Sequence, residues 1–236
     1  MEMIDRRMEI KLIQKFQRET VDQLLSAIPF FKAVRQHDLG QFEVLLAHSR
    51  IITYRPGEVV VHRGDGDQSL YFLLKGCLAV YPNEALQGEP VNMITPGEVF
   101  GDLARLTHRP RSATIVADQK SREVMVFASD FGVFGELESH YPISLHTKLL
   151  YYRNTVHNLR WKLEVYRSMH PDSLLANEHR AIKLYTGPKD CLQELQSLHD
   201  QACKLAALLM SWNDRFGAIN HEEPLVSDQL VKALDR

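Results

Sequence analysis

Glycine is distributed unevenly along this 236-residue chain, and that unevenness constrains the fold more than any other feature. Seven of the 12 glycines (Gly57, Gly64, Gly66, Gly76, Gly88, Gly97 and Gly101) fall between positions 57 and 101, while only Gly187 and Gly217 lie beyond position 142. Among and after them run short segments rich in β-branched and aromatic residues: Val59-Val60-Val61, Tyr71-Phe72-Leu73-Leu74, Leu78-Ala79-Val80-Tyr81, Thr114-Ile115-Val116 and Val124-Met125-Val126-Phe127. Each glycine in a helix interior costs about 1 kcal/mol relative to alanine, so a helix is a poor reading of this region. Short strands joined by tight turns fit it, which predicts an antiparallel barrel or jelly roll.

The flanks read as helical. Residues 2–28 place Met8, Leu12, Ile13, Phe16, Val21, Leu24 and Leu25 mostly at three- and four-residue steps, and a second stretch, broken by Gly40, covers 36–48. From Pro142 onward Leu145, Leu149, Tyr152, Val156, Leu159, Leu163 and Tyr166 keep an unbroken heptad phase. That spacing predicts one long helix starting at Pro142, ended by His170-Pro171, with a seam for another helix. Its uninterrupted length favours a homodimer seam over an intramolecular one. The tail reads as two or three more helices. The longest, over 189–216, carries Leu195, Leu198, Ala202, Leu205, Leu209, Trp212 and Phe216 and stops at Gly217; a short one follows at 224–235. The expected organisation is α+β: an N-terminal helix (1–28), a jelly roll (29–141), a dimerisation helix (142–170) and a helical effector region (171–236).

Composition narrows the function classes. Apolar residues make up 44% and charged residues 25%, and 28 basic against 30 acidic residues give a net charge of −2. This is the balance of a globular protein, not of a disordered polyelectrolyte or a basic nucleic-acid coat. No apolar stretch approaches the roughly 18 residues needed to span a bilayer, and residues 1–18 lack the features of a signal peptide, so a cytoplasmic location and no membrane association are expected. Cys77, Cys191 and Cys203 are odd in number and widely spaced, which supports neither a disulfide framework nor a zinc site.

The most informative segment is 99–117. Gly101 allows close approach of the backbone to a ligand, and the residues after it suit a short helical turn whose N–H groups face an anion. Arg111 offers a forked donor to a phosphate, with the Ser112 hydroxyl beside it, and Asp102 offers a carboxylate to a sugar hydroxyl. A Gly-Asp pair with a later Arg is weak alone, but inside a barrel the set describes a pocket for a phosphorylated sugar. The chain here resembles the cyclic nucleotide-binding domains of the catabolite activator type over roughly 29–168. The resemblance rests on Ile28-Pro29-Phe30-Phe31, Pro56-Gly57-Glu58, Gly64-Asp65, Leu70-Tyr71-Phe72-Leu73, Gly76, Pro96-Gly97-Glu98-Val99-Phe100-Gly101, Arg111-Ser112-Ala113-Thr114-Ile115-Val116-Ala117 and Phe131, in order and at the family's spacing.

The resemblance implies an eight-stranded jelly roll, a phosphate-binding cassette and a long dimerisation helix. By position, Arg111 and Ser112 hold the cyclic phosphate and the residue at 102 holds the ribose 2′-hydroxyl. Phe100, Gly101, Leu103, Ala104 and Ala113 complete the cassette. Three positions depart from the pattern. The family's glutamate is Asp102, whose carboxylate is retracted by roughly 1.5 Å. A charge-assisted hydrogen bond is worth about 1.5–3 kcal/mol, so its loss weakens binding by about one to two powers of ten. An expected aliphatic residue, which in the family helps couple cassette to hinge, is Arg105. The position of an adenine-contacting threonine falls on Leu159, leaving Asn158, with Thr155 and Arg160, as polar candidates and Trp161 as a candidate stack.

The tail lacks the helix-turn-helix that usually follows. Its one candidate turn glycine, Gly187, is preceded by Lys183 at the required small position and followed by Pro188. Residues 172–236 hold 7 basic and 10 acidic residues, against the basic face that nucleic acid needs. The helix at 142–170 is basic instead, with Lys148, Arg153, Arg160, Lys162 and Arg167 against Glu164. No nucleophile elbow, phosphate loop or metal-binding spacing is present, so no catalytic residues, catalytic cofactor or metal are expected. The resulting expectation is a non-enzymatic, homodimeric regulator. It binds a cyclic nucleotide, cAMP first, as regulatory ligand and relays it through the dimer helix to a protein effector. The rivals are a degenerate domain kept as a dimeric scaffold, an atypical transcription regulator, and a receptor for another anion such as cyclic di-GMP, suggested by Arg105, Arg109 and the basic helix at 142–170.

Overall fold

The computed structural model describes residues 9–67, 69–82 and 89–222. The helix expected at 224–235 and the start of the one expected at 2–28 lie outside the described residues. In chain order the strands are β1 (Glu9–Leu12), β2 (Ser49–Tyr54), β3 (Val59–Val61), β4 (Leu70–Lys75), β5 (Leu78–Tyr81), β6 (Asn92–Ile94), β7 (Val99–Phe100), β8 (Thr114–Ala117) and β9 (Val124–Ser129). The helices are α1 (Arg18–Ser26), α2 (Pro29–His37), α3 (Leu39–Ala47), α4 (Asp102–Thr107), α5 (Leu145–Met169) and α6 (Leu192–Glu222), with 3-10 turns at Ile13–Lys15, Phe131–Phe134 and Glu178–Ala181.

The strands form two antiparallel sheets in the orders β1-β2-β9-β4-β7 and β3-β8-β5-β6, the expected jelly roll. Side-chain alternation sorts each strand of the larger sheet between two cores. On β9, Val124, Val126 and Ala128 fill the barrel while Phe127 faces the helices; on β4, Tyr71 and Leu73 face inward and Leu70 and Phe72 outward. Both faces of this sheet are therefore buried, which explains why its strands read as continuous apolar runs. The outer core is aromatic: Phe30, Phe31, Phe72 and Phe127 interleave with centroid separations of 4.9–6.3 Å, and Tyr151 on α5 joins them at 5.9 Å from Phe30. At Gly76, φ is +83° and a Cβ would sit 2.6 Å from the Glu123 carbonyl, so the β4–β5 turn requires glycine.

Several boundaries differ from the sequence reading. The segment Glu9–Leu12 is not helical; Glu-Ile-Lys-Leu alternates with period two and pairs with β2, Ile10 opposite Ile52. The edge of a sheet supplied a partner that outweighed the helical spacing further along. Gly40 lies inside α3, and the break falls at Asp38, whose backbone is extended and whose carboxylate accepts from the Gln41 amide at 3.1 Å. Helix α5 begins at Leu145, three residues past Pro142, with Ser144 as its cap. Helix α6 runs through Gly217 to Glu222.

The largest correction concerns the heptad seam. Leu149, Tyr152, Val156, Leu159, Leu163 and Tyr166 are buried, with Leu145 packed at the margin, in one core with Leu195, Leu198, Ala202, Leu205, Leu209, Trp212 and Phe216. The partner expected from a second copy is α6 of the same chain. The basic residues of α5 are consumed in the same way. Arg153 binds Glu194 at 2.6 and 2.8 Å and Asp190 at 2.9 Å, and Arg160 donates to the carbonyls of His179 and Ile182. Buried Lys148 donates to the carbonyls of Glu136, Leu137 and Ser139. Glu164 accepts from His179, Arg167 and Arg180, and hydrogen bonds from these three, His179 foremost, hold its carboxyl down at about 2. Among the described residues no helix is long and apolar enough to cross a membrane, and no cluster of three His, Cys, Asp or Glu side chains is placed to hold a metal.

Candidate ligand pocket

The segment between β7 and β8 builds the site. Gly101 adopts φ +86° as it turns β7 into α4, and its carbonyl accepts from Arg111 Nη1 at 2.6 Å. A Cβ there would sit 2.6 Å from that nitrogen and 2.9 Å from the Ser69 carbonyl, so only glycine admits the arginine. Nη2 of Arg111 donates to the Ser69 carbonyl at 2.8 Å and to Asp67 Oδ2 at 2.9 Å, and the guanidinium lies 5.5 Å from the centroid of Tyr71. Tyr71 stacks on Phe100 and donates its hydroxyl to Asp67 at 2.7 Å. Partial burial opposes ionisation of Asp67, but hydrogen bonds from Tyr71, Ser69 and Arg111 outweigh it and hold the carboxyl well below the usual range. Burial, reinforced by the bond to Asp67, pushes the Tyr71 phenol up to about 12.

Asp102 is the first residue of α4 and only 1% exposed, yet its Oδ2 has no hydrogen-bond partner among the described residues. Arg111 Nε is likewise buried without one. An unpaired buried carboxylate oxygen is costly, and its presence at a cavity wall marks a position suited to a ligand donor. All eight cassette residues singled out from sequence, Phe100, Gly101, Asp102, Leu103, Ala104, Arg111, Ser112 and Ala113, line one cavity. The barrel adds Val61, Val80, Asn92, Ile94 and Ile115, so the walls are mostly apolar with a few polar groups at one end.

Asn158 does not reach this cavity. Lys162 and Tyr166, about one and two turns further along α5, line it instead; Lys162 donates to the Val99 carbonyl at 3.0 Å. Leu159, at the position where the family pattern has a threonine, is wholly buried in the α5–α6 core. Trp161 is 64% exposed on the opposite face. Arg105 projects from α4 over the ring of Phe131 at 5.2 Å, a cation–π contact between α4 and the Phe131–Phe134 turn where the family pattern has aliphatic packing.

Sequence reasoning missed the contribution of α6. Leu209 and Asn213 stand in the cavity wall, and Asn213 Nδ2 donates to Ser112 Oγ at 2.9 Å. Tyr166 donates to Asn213 Oδ1 at 3.3 Å, joining α5, α6 and the cassette in one buried chain. The available signal was a polar residue one turn beyond Leu209 on the apolar seam. The cavity left between these elements measures about 70 Å³. Pockets for drug-sized ligands run to roughly 300–1,000 Å³.

Residues 51–135 match the family model described as the cyclic nucleotide-binding domain. This stretch is a domain of the cyclic nucleotide-binding family. The chain is 29% identical over 101 residues to the cAMP-dependent protein kinase type II regulatory subunit of Drosophila melanogaster, which covers 42% of this chain and 26% of that protein. It is 29% identical over 125 residues to the cGMP-dependent protein kinase of Plasmodium berghei, 52% of this chain and 13% of that protein. Among solved structures, the regulatory domain of Toxoplasma gondii PKA with cAMP matches at a TM-score of 0.43 and 19% identity, over 58% of this chain and 49% of that one. The chain thus spans about a quarter or less of the curated relatives named here. Within the cyclic nucleotide-binding domain, Gly101, Asp102, Arg111 and Ser112 all fall inside the matched residues.

Proposed function

We propose that the chain is a ligand-responsive regulator whose cyclic nucleotide-binding domain takes up cAMP between the cassette and α5–α6. Arg111 and Ser112 hold the cyclic phosphate, and Asp102 accepts the ribose 2′-hydroxyl. The base points toward Lys162, Tyr166 and α6. The observation that carries this reading is the convergence of Asp102, Arg111 and Ser112 on one cavity, with the Asp102 Oδ2 atom buried and unpaired among the described residues. A relative named as a cAMP-dependent protein kinase regulatory subunit, from Drosophila melanogaster, supports cAMP as the first candidate, and the cGMP-dependent kinase of Plasmodium berghei makes cGMP the second. The relay runs within one chain, from the cassette through the Phe131–Phe134 turn and α5 to the helical region at 171–236, which serves as the output for a protein effector.

One observation favours a second reading, a domain kept for its shape: α6 already satisfies Ser112. Arg111→Ala does not separate the two. Arg111 ties Gly101, Ser69 and Asp67 together in the structure itself, so its loss destabilises the fold under either reading. Calorimetric titration of the full chain with cAMP and cGMP does separate them. Saturable binding with cAMP preferred is expected; no heat and no thermal shift at millimolar concentration of either nucleotide would leave only the scaffold.

A further inference from the structure

The C-terminal half of α6 stands where a ligand has to go. Asn213 occupies the Ser112 hydroxyl at 2.9 Å, and Leu209 fills the adjoining apolar wall. Met210 sulfur lies 2.9 Å from the Thr107 hydroxyl at the end of α4. At the rim, Asp214 meets Arg63 at 3.2 Å and Arg109 at 3.8 Å. Arg63 also donates to the Ser112 carbonyl at 2.8 Å, so the helix is tied to the backbone as well as the side chain of a phosphate-binding position. Behind these contacts Trp212 and Phe216 pack on Tyr166 at centroid separations of 5.9 and 5.3 Å. The cassette, the barrel and this helix together leave about 70 Å³, too little for a nucleotide.

We propose that the segment of α6 from Leu209 to Asp214 is an intramolecular competitor for the ligand pocket, so that a nucleotide enters only when this half of the helix swings away. The inference rests on the binding role proposed above and adds its regulation. Two features of the contact suit a reversible plug. The polar bonds are few and neutral or rim-exposed, a class worth little individually. Two of the groups α6 engages, Ser112 and the Arg63–Arg109 pair, are a hydroxyl and cations, which an anionic phosphate can engage instead. Asn213 donates to the Ser112 oxygen, from whose hydroxyl a phosphate would accept, so ligand and helix compete for the same groups and space, and binding energy is converted into displacement of α6. The affinity observed in the whole chain is the intrinsic affinity reduced by the fraction of molecules in which α6 is displaced.

The test uses the full chain with two independent substitutions, Asn213→Ala and Asp214→Lys. Neither touches Asp102, Arg111 or Gly101, and Asp214 is half-exposed, so its reversal beside Arg63 and Arg109 is compatible with folding. Loss of a hydrogen bond of this class shifts an equilibrium by about two- to tenfold. Each variant is therefore expected to bind cAMP about two- to tenfold tighter than wild type in calorimetry. A second readout is the emission of Trp212, isolated by Trp161→Phe because the chain has 2 tryptophans. Buried Trp212 is expected to shift to the red when cAMP is added. Binding of cAMP with unchanged or weaker affinity in both variants, or with no change at Trp212, would overturn the inference and leave the binding role standing. Absence of cAMP and cGMP binding in wild type and in both variants would overturn the binding role, and this inference with it.

Discussion

Replacing Asp102 by Asn separates ligand chemistry from fold stability, because the two are expected to move in opposite directions. Asp102 is buried, lines the cavity and leaves Oδ2 without a partner among the described residues. Leaving a buried polar group unpaired costs about 1–3 kcal/mol, and more when the group is charged. Asparagine keeps the shape and removes the charge, so the ligand-free chain gains stability of about 1 kcal/mol. For a domain of roughly 150–250 residues that raises Tm by about 2–4 °C. With nucleotide the sign reverses. A hydrogen bond to a charged acceptor contributes about 1.5–3 kcal/mol, and at 1.4 kcal/mol per decade its loss weakens binding by about 10- to 100-fold. Differential scanning fluorimetry of the ligand-free protein and calorimetric titration with cAMP measure the two halves. A lower Tm together with unchanged affinity would refute the reasoning, since it would mean that the carboxylate serves a partner within the fold rather than a sugar.

Two further outcomes test the geometry around the pocket. Gly101→Ala forces a side chain into a left-handed conformation, costing about 1–2 kcal/mol before the contact with Arg111 and the Ser69 carbonyl is counted, so chemical denaturation should show a loss of at least that size. Glu164, held down at about 2, stays ionised in the folded chain at pH values where the unfolded chain has begun to take up a proton. Stability from this group is complete above the ordinary glutamate range and is lost as pH falls from about 4.3 toward 2, so Glu164→Gln should flatten that limb of the Tm–pH profile.

Much of the barrel was legible because the glycines and the β-branched runs act locally. The turn at Gly76 and the left-handed Gly101 are requirements of a few neighbouring atoms, and the chain encodes them at those positions. All eight cassette residues converge on one cavity for the same reason: they lie within one short stretch. Elements whose fate depends on distant partners were less legible. Glu9–Leu12 became a strand because β2 offered an edge, and Asn158 missed the pocket because the placement of α5 against the barrel puts Lys162 and Tyr166 there. A heptad seam records that a helix packs lengthwise but not whose helix it meets. The charges did hold that information. A basic α5 followed by an acidic tail is what an intrachain pair requires, and Arg153 with Asp190 and Glu194 is its direct expression.

The intrachain pairing also changes what the cassette arginine can reveal. In an open pocket, a guanidinium facing a phosphate would be dispensable to the ligand-free fold, and its removal would report on binding alone. Here the Arg111 guanidinium spends both terminal nitrogens on Gly101, Ser69 and Asp67, leaving Nε as the nitrogen without a partner among the described residues. Loss of binding in an Arg111 variant would therefore be ambiguous, whereas Asp102 and Asn213 are informative because each is balanced against one defined alternative. Asp102 exchanges an unpaired state for a sugar hydroxyl. Asn213 exchanges Ser112 for solvent when the helix moves. The bond between Asn213 and Ser112 is a single neutral one, whereas Asp214 with its two arginines and the buried Leu209, Met210 and Trp212 hold the rest of this contact, so the Asn213 substitution isolates the polar part of the proposed competition.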